Sequence, residues 1–277
     1  MSAPEPIDMN EVVGSHDILF VTLDTLRFDI AQSLLERGDL PVLARHLPPA
    51  GWEPRHTPGS FTYAAHHAFF AGFLPTPARP GRHPRLFAAA FRGSDTTTRK
   101  TCVFHEDNIV AGLGARGYRS ICIGGVGFFN KETALASVLP GLFDESHWNA
   151  GLGVTNRHST ERQVDLAIAR LAAAPGRTFL FLNVSAIHAP HHFFLPPDAP
   201  DAAPARPATP AGHAAALRYV DGALAPLFEA CARRHPTFVI VCSDHGTLFG
   251  EDGFEGHRVA HEAVWTVPYA HFFLGHP

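Results

Sequence analysis

Three positions, far apart in the chain, carry side chains suited to one piece of chemistry. Asp24 ends the apolar run Ile18-Leu19-Phe20-Val21-Thr22-Leu23. Asp244 and His245 follow a second such run, Phe238-Val239-Ile240-Val241-Cys242, one residue after Ser243. Between them in sequence, Thr62 opens the stretch Thr62-Tyr63-Ala64-Ala65-His66-His67-Ala68-Phe69-Phe70. Two carboxylates and an imidazole are ligand types that hold a divalent cation. A hydroxyl beside such an ion becomes a usable nucleophile, because the ion lowers its pKa. The combination predicts a metal-activated threonine.

For these groups to meet, their backbones must end at one edge. Short apolar runs rich in β-branched residues predict buried strands, and in open α/β sheets the carboxyl ends of the strands carry the ligands. Strands are expected at Asp17–Leu23, Tyr118–Ile123, Thr178–Val184, Thr237–Cys242 and Tyr269–Leu274. Helical stretches alternate with them: Phe28–Arg37, Thr62–Phe70, Asp107–Arg116, Glu161–Ala173 and Ala211–Arg234. Thr160 and Gln163 have the spacing of a capping box, and Thr209-Pro210 that of an N-cap followed by a first-turn proline. The fold class is therefore α/β: a mainly parallel central sheet with helices on both faces, in a single domain over 1–277. A helix beginning at Thr62 would add backbone N–H donors and the positive end of its dipole for an anionic ester. The proline-rich segment Phe193–Pro210 is a loop or a lid over the site.

The same residues resemble the alkaline phosphatase superfamily, and within it the sulfatase-like hydrolases. Val21-Thr22-Leu23-Asp24-Thr25-Leu26-Arg27 is similar to that family's first metal-binding strand. Thr62 stands ten residues before Gly72, as the family's nucleophile stands before a glycine. Gly117-Tyr118-Arg119-Ser120 resembles the entry to a central strand, and Phe181-Leu182-Asn183 through His188-Ala189-Pro190-His191 the strand and loop that carry a substrate-binding histidine. Ser243-Asp244-His245-Gly246 matches the second metal motif. Gly256-His257, His261-Glu262 and Val267-Pro268 match the closing segment. The resemblance spans about Asp17 to Leu274. It implies metal ligation by Asp24, Thr62, Asp244 and His245, and contacts to the ester from His188 and His257. The family usually continues into a C-terminal subdomain, so the chain is expected to be a minimal core with an open site.

Departures from the family pattern narrow the chemistry. The nucleophile segment reads Thr62-Tyr63-Ala64-Ala65-His66, without the Cys-x-Pro-Ser-Arg of sulfatases proper, which closes the formylglycine route. Gly124-Gly125-Val126-Gly127 replaces Gly-Lys-x-His and removes two cationic contacts, and Thr25 stands where many sulfatases place a second Asp. The expected activity is hydrolysis of a phosphate, phosphonate or sulfate ester through Thr62, with phosphoryl or phosphonyl esters preferred. A two-metal phosphodiesterase, a phosphotransferase and a catalytically silent anion- or partner-binding relative are the alternatives. For a second ion, His188 and His257 could offer imidazoles, but Asn183-Val184 offers no carboxylate.

An imidazole among carboxylates favours one Mn or Zn ion, with Mg and Ca kept open. Of the 19 histidines, His188 and His257 are chosen for ester or leaving-group contacts because imidazole titrates near neutral pH. His66, one turn beyond Thr62 on the same helix face, is a further candidate for touching the substrate anion. His67, His191, His192 and His261 rank lower, with Glu262 available to orient one of them. Gly246 suits a tight turn or close backbone approach to an ion.

Composition bounds the partners. A net charge of -4 speaks against a general nucleic-acid binder, and the expected partner is a small anionic ester or a modified peptide. No run nears the roughly 20 apolar residues of a membrane helix. Met1–Asp17 lacks an apolar segment of the signal-peptide kind. Cys102, Cys122, Cys231 and Cys242 have no C-x-x-C spacing and are expected as reduced thiols, Cys122 and Cys242 inside strands, which together predict a cytoplasmic location.

Overall fold

The computed structural model describes residues 7–199, 201–202 and 208–275. Its centre is an eight-stranded sheet. In chain order the strands are β1 (Asp17–Leu23), β2 (Glu53–His56), β3 (Thr76–Pro77), β4 (Arg119–Ile123), β5 (Glu145–His147), β6 (Thr178–Val184), β7 (Thr237–Cys242) and β8 (Thr266–Leu274). They lie side by side as β3-β2-β8-β7-β1-β6-β4-β5. The block β7-β1-β6-β4-β5 is parallel, whereas β8, β2 and β3 extend it antiparallel. The sheet is mixed, and the strand expected at Tyr269–Leu274 begins earlier and runs against its neighbour. β2, β3 and β5 escape a search for apolar runs because they are short and only partly buried.

The longer helices are α1 (Phe28–Glu36), α2 (Thr62–Phe70), α3 (Ile109–Ala115), α4 (Ser159–Ala173) and α5 (Pro210–Arg234), with one-turn helices at Met9–Val12 and Glu262–Trp265. Side chains alternate across β1. Leu19, Val21 and Leu23 join a core with Leu34 of α1, Val164 and Leu171 of α4, and Leu217 and Leu224 of α5. Ile18 and Phe20 join a second core with Phe69 and Phe70 of α2 and Ile109 and Leu113 of α3. Seven consecutive buried residues in β1 and in β6 follow from this covering of both faces.

Two local expectations resolve differently. Thr209 caps α5, its hydroxyl accepting from the Gly212 N–H, with Pro210 in the first turn. The capping box at Thr160 is not formed: α4 begins at Ser159, and Gln163 instead sends its amide across to the Asn183 carbonyl at 2.6 Å. Part of the Phe193–Pro210 segment, residues 200 and 203–207, lies outside the described residues. All four cysteines are buried free thiols. No helix among the described residues is long and apolar enough to cross a membrane.

Candidate metal centre

β1 and β7 are parallel neighbours in register, with Thr22 opposite Cys242. Continuing each strand therefore brings Asp24 and Asp244 together at one sheet edge. With His245 they form a fully buried cluster whose ligand atoms all lie within 4.8 Å of one another. α2 meets this edge with its first residue. Phe61 is the N-cap and Thr62 the first helical position, so the threonine hydroxyl is not a cap. It sits 3.4 Å from Asp24 Oδ2 and 3.3 Å from His245 Nε2.

The tautomers follow from the acceptors. His245 Nδ1 lies 2.9 Å from the Gly246 carbonyl, which can only accept, so Nδ1 carries the proton and Nε2 presents its lone pair to the cluster. Asp244 Oδ1 accepts from the N–H groups of Thr25 (3.2 Å) and His245 (3.0 Å). Asp24 Oδ2 accepts from the Asn183 amide at 3.3 Å. The other oxygens, Asp24 Oδ1 and Asp244 Oδ2, are buried without a hydrogen-bond partner. An orphaned buried carboxylate oxygen costs free energy unless a cation or proton answers it. Burial, followed by the charge of Asp244, pushes the Asp24 carboxyl above its usual range. Burial also pushes Asp244 upward, against the backbone donors that pull it down. Two unanswered oxygens, one imidazole lone pair and a nearby hydroxyl fit a divalent ion.

The frame around the cluster is built from backbone and an amide. Thr25 adopts a left-handed conformation (φ 65°), uncommon for a β-branched residue, and thereby aims its N–H at Asp244 while its hydroxyl donates to the Ile187 carbonyl at 3.0 Å. Asn183 also ties down the Gly124–Gly127 turn, its Oδ1 accepting from the N–H of Gly125 (3.2 Å) and Val126 (3.1 Å). A Cβ on Gly125 would lie 2.4 Å from the Asn183 carbonyl oxygen, so the turn can pass only as glycine. Gly246 is required for a similar reason, since its Cβ would fall 1.9 Å from the Ala263 carbonyl oxygen. Close packing on Ala263, rather than on an ion, explains that glycine.

The histidines separate into different roles. His188 and His257 stand at the mouth of the site, their rings 6.0 Å apart, with His257 4.5 Å from the His245 ring. His188 Nδ1 donates to the Ala189 carbonyl at 2.7 Å, which leaves Nε2 for a ligand. Burial and the neighbouring His245, His188 and Arg258 hold the His257 pKa down to about 3, so its ring is neutral near pH 7. His66 does not reach the surface and the expectation that it touches a substrate anion is corrected. It is fully buried among Phe69, Phe70, Phe129 and Phe181. Its Nδ1 donates to the Thr62 carbonyl at 2.7 Å and its Nε2 lies 3.0 Å from the Thr22 hydroxyl. His66 thus fixes the first turn of α2 from beneath, as a neutral ring whose pKa burial lowers to about 3. His191 is buried on the Ile187 carbonyl (2.6 Å), and His67 is exposed on α2. His261 caps the short helix Glu262–Trp265 and faces Asp252 at 3.3 Å, so Asp252 and not Glu262 is its acidic partner.

Two cavities open on either side of the His188 and His257 rings. One, of ≈ 220 Å³, is bordered by Thr25, His191, Phe249 and Glu255. The other, of ≈ 400 Å³, is bordered by Thr62, Val126, Phe128, Leu135 and Arg258. Sequence reasoning missed the Asn183 hydrogen bonds, the Thr25 N–H contact to Asp244, and Phe128, Leu135 and Arg258 on this second wall. The glycine pair Gly124-Gly125 was the visible signal of the Asn183 contact, since adjacent glycines mark a close backbone approach.

The comparisons agree with this geometry. The sequence profile of the Sulfatase family matches residues 60–271. No curated protein matches the chain. Among solved structures it is similar to the C-terminal periplasmic domain of phosphoethanolamine transferase EptC from Campylobacter jejuni, with a TM-score of 0.63, 12% identity, and coverage of 94% of this chain and 80% of that one. It is also similar to the corresponding Escherichia coli EptC domain, solved in complex with Zn (TM-score 0.59, 13% identity, 94% and 74% coverage). A third likeness is to the lipoteichoic acid synthase LtaP from Listeria monocytogenes (TM-score 0.58, 13% identity, 99% and 69% coverage). At these identities the likeness is one of fold, and two of the three are periplasmic domains, which lends no support to the cytoplasmic expectation. With the family profile covering most of its length and the α/β sheet placing the metal motifs at one edge, the chain belongs to the sulfatase family of the alkaline phosphatase superfamily.

Proposed function

We propose that the protein is a metal-dependent phosphoryl- or phosphonyl-ester hydrolase that uses Thr62 as its nucleophile, acting on a small anionic ester or a modified peptide. The observation that carries this reading is the position of the Thr62 hydroxyl, within 3.4 Å of Asp24 and of His245, at the first turn of α2. Asp24, Asp244 and His245 would hold a divalent ion, Mn or Zn, together with the Thr62 oxygen. Bound there, the ion supplies positive charge that lowers the hydroxyl pKa and offsets charge on the phosphoryl oxygens. Thr62 Oγ1, having given its proton to solvent, would form the new bond to phosphorus while the bond to the leaving oxygen breaks, and His188, protonated at both ring nitrogens with Nδ1 on the Ala189 carbonyl, would hand that oxygen the Nε2 proton and regain one from solvent. Water then attacks phosphothreonine, releasing phosphate and restoring the hydroxyl. His257, neutral near pH 7, donates a hydrogen bond to a non-bridging oxygen. His66 keeps the first turn of α2 in place.

A sulfated Thr62 would be a stable ester with no aldehyde hydrate to expel it, which disfavours sulfate. The expected preference for an aryl phosphate over the aryl sulfate with the same leaving group is at least about tenfold, only about 1.4 kcal/mol of barrier. Assay of the metal-loaded protein on that pair tests it, and faster cleavage of the sulfate would overturn it. Transfer to an acceptor other than water is a second reading, favoured by the transferase and synthase names of the similar structures. Adding an alcohol acceptor and measuring how product divides between hydrolysis and transfer separates the two.

A further inference from the structure

We infer that the cleft beside Thr62 receives an uncharged, apolar organic group of the ester, and that Phe128 and Leu135 set this preference. The inference rests on Thr62 being the reacting hydroxyl. Of the two cavities, this is the one that Thr62 borders, so the substituent on phosphorus that lies against it is in contact with its wall. Away from Thr62 and the two histidines that wall is mostly apolar, formed by Val126, Phe128, Leu135, Ala136 and Val154, with the uncharged Thr133 among them and the exposed Arg258 beside it. The volume, ≈ 400 Å³, is that of a small-molecule site rather than of a notch for water.

Several observations show that the wall is built and not incidental. Phe128 is held in an aromatic cluster of tilted rings, 5.5 Å from the Tyr63 ring and 6.3 Å from Phe61. Its turn is anchored through Val126 to Asn183, the same amide that holds Asp24. Leu135 remains 49% exposed and Val138, one turn further, 40% exposed, although both belong to a segment that packs Ala136 and Leu139 inward. A half-exposed leucine at the mouth of an apolar cleft gains on contact with an apolar ligand, at about 25 cal/mol per Å² covered. Arg258 is laid over the Phe61 ring at 5.0 Å, and no carboxylate among the described residues pairs with it. Its charge is therefore free for the ester's anionic head, not for the organic group. No carboxylate lines this cleft to attract an ammonium, whereas Glu255 borders the other one. An ester bearing a charged amino-alkyl group would find no partner against this wall.

The probes are non-hydrolysable phosphonates, titrated calorimetrically into the metal-loaded protein: 2-naphthylphosphonate, methylphosphonate and 2-aminoethylphosphonate. The naphthyl compound should bind at least about tenfold tighter than the methyl one, a difference of about 1.4 kcal/mol, and the aminoethyl compound should gain nothing. Leu135→Asp and Phe128→Ala should each bring the naphthyl-to-methyl ratio towards one. Phe91→Asp, at an exposed position outside both cavities, should leave it unchanged. Equal binding of the naphthyl and methyl probes, or a ratio indifferent to both cleft variants, would overturn the inference. If the naphthyl preference holds but no aryl phosphate is turned over, the cleft stands and the nucleophile reading falls. Turnover of aryl phosphates without any naphthyl preference has the opposite meaning.

Discussion

β1 carries a buried aspartate at each end, and the two are treated in opposite ways. Asp17 opens the strand, is 3% exposed, and is answered completely. Its Oδ1 accepts from the Thr178 N–H at 2.8 Å, and its Oδ2 is paired with the Arg234 guanidinium, which is itself fixed by the Leu171, Ala174 and Gly176 carbonyls. Asp24 follows the strand, is 0% exposed, and has no Arg or Lys beside it, only Asn183, the Thr62 hydroxyl, a second carboxylate and the buried His245 imidazole, whose Nε2 offers a lone pair and not a charge. Burial alone is thus no sign of function. The sign is burial that the chain itself leaves uncompensated, which at the carboxyl end of a parallel strand implies an ion from outside.

The contrast can be broken in several ways, of decreasing size. At the Asp24 end, Thr62→Ala should cut steady-state turnover by on the order of 10³–10⁶, with metal content and unfolding free energy nearly unchanged. Near-normal rates in that variant would mean that water, not Thr62, attacks. At the other end, Asp17→Ala should remove about 3–5 kcal/mol of stability in denaturant titration, because the partly buried Arg234 keeps its carbonyl partners but loses its counter-charge, yet the variant should still take up metal under native conditions. A loss under 1 kcal/mol would show that the two acids are not differently treated after all.

Metal itself gives a third, smaller effect. Zn or Mn at 100 times its dissociation constant should stabilise the native chain by about 2.7 kcal/mol. The Asp24→Asn variant should gain almost nothing from the ion, and without metal should be no less stable than the native chain, since a raised carboxyl pKa marks a charge the fold holds at a cost. Equal metal stabilisation of both proteins would remove Asp24 from the ligand set.

The last effect, the smallest for each unit of pH, concerns a half-buried group with no ligand role. His271 on β8 lies against Phe238 and near the Tyr269 hydroxyl (3.1 Å), and burial lowers its pKa from 6.5 to about 4. Between those values the unfolded chain binds the proton and the folded chain does not, so stability falls as pH falls, by up to about 1.4 kcal/mol per pH unit for this one group. His271→Phe should flatten the curve of stability against pH by that amount between pH 6.5 and 4. Parallel curves for variant and native protein would mean that His271 titrates normally.

Which of these features the sequence discloses depends on how local their cause is. Ile18–Leu23 and Phe238–Cys242 are apolar because both faces of their strands are covered, so pattern alone locates them and the acids that follow. β2, with Glu53 and Arg55, and β5, with Glu145 and His147, sit near the sheet margins and carry no such pattern. His66 misleads because sharing a helix face with Thr62 does not say whether that face looks at solvent or at Phe181. Gln163 misleads because its spacing suits a cap, while its amide answers a strand one layer away. Asn183, the left-handed Thr25 and the Val126–Leu135 wall draw their roles from pairings across 57 residues or more, or from irregular backbone, and neither leaves a periodic trace.

The Asn183 side chain has a mechanical meaning as well. A carboxamide is flat and stiff, and this one grips Asp24 with its nitrogen while its oxygen holds the Gly125 and Val126 amides. It works as a rigid strut between the ion-binding edge and the turn that leads into Phe128. The position of the Asp24 carboxylate and the position of that turn are thereby set by one and the same planar group.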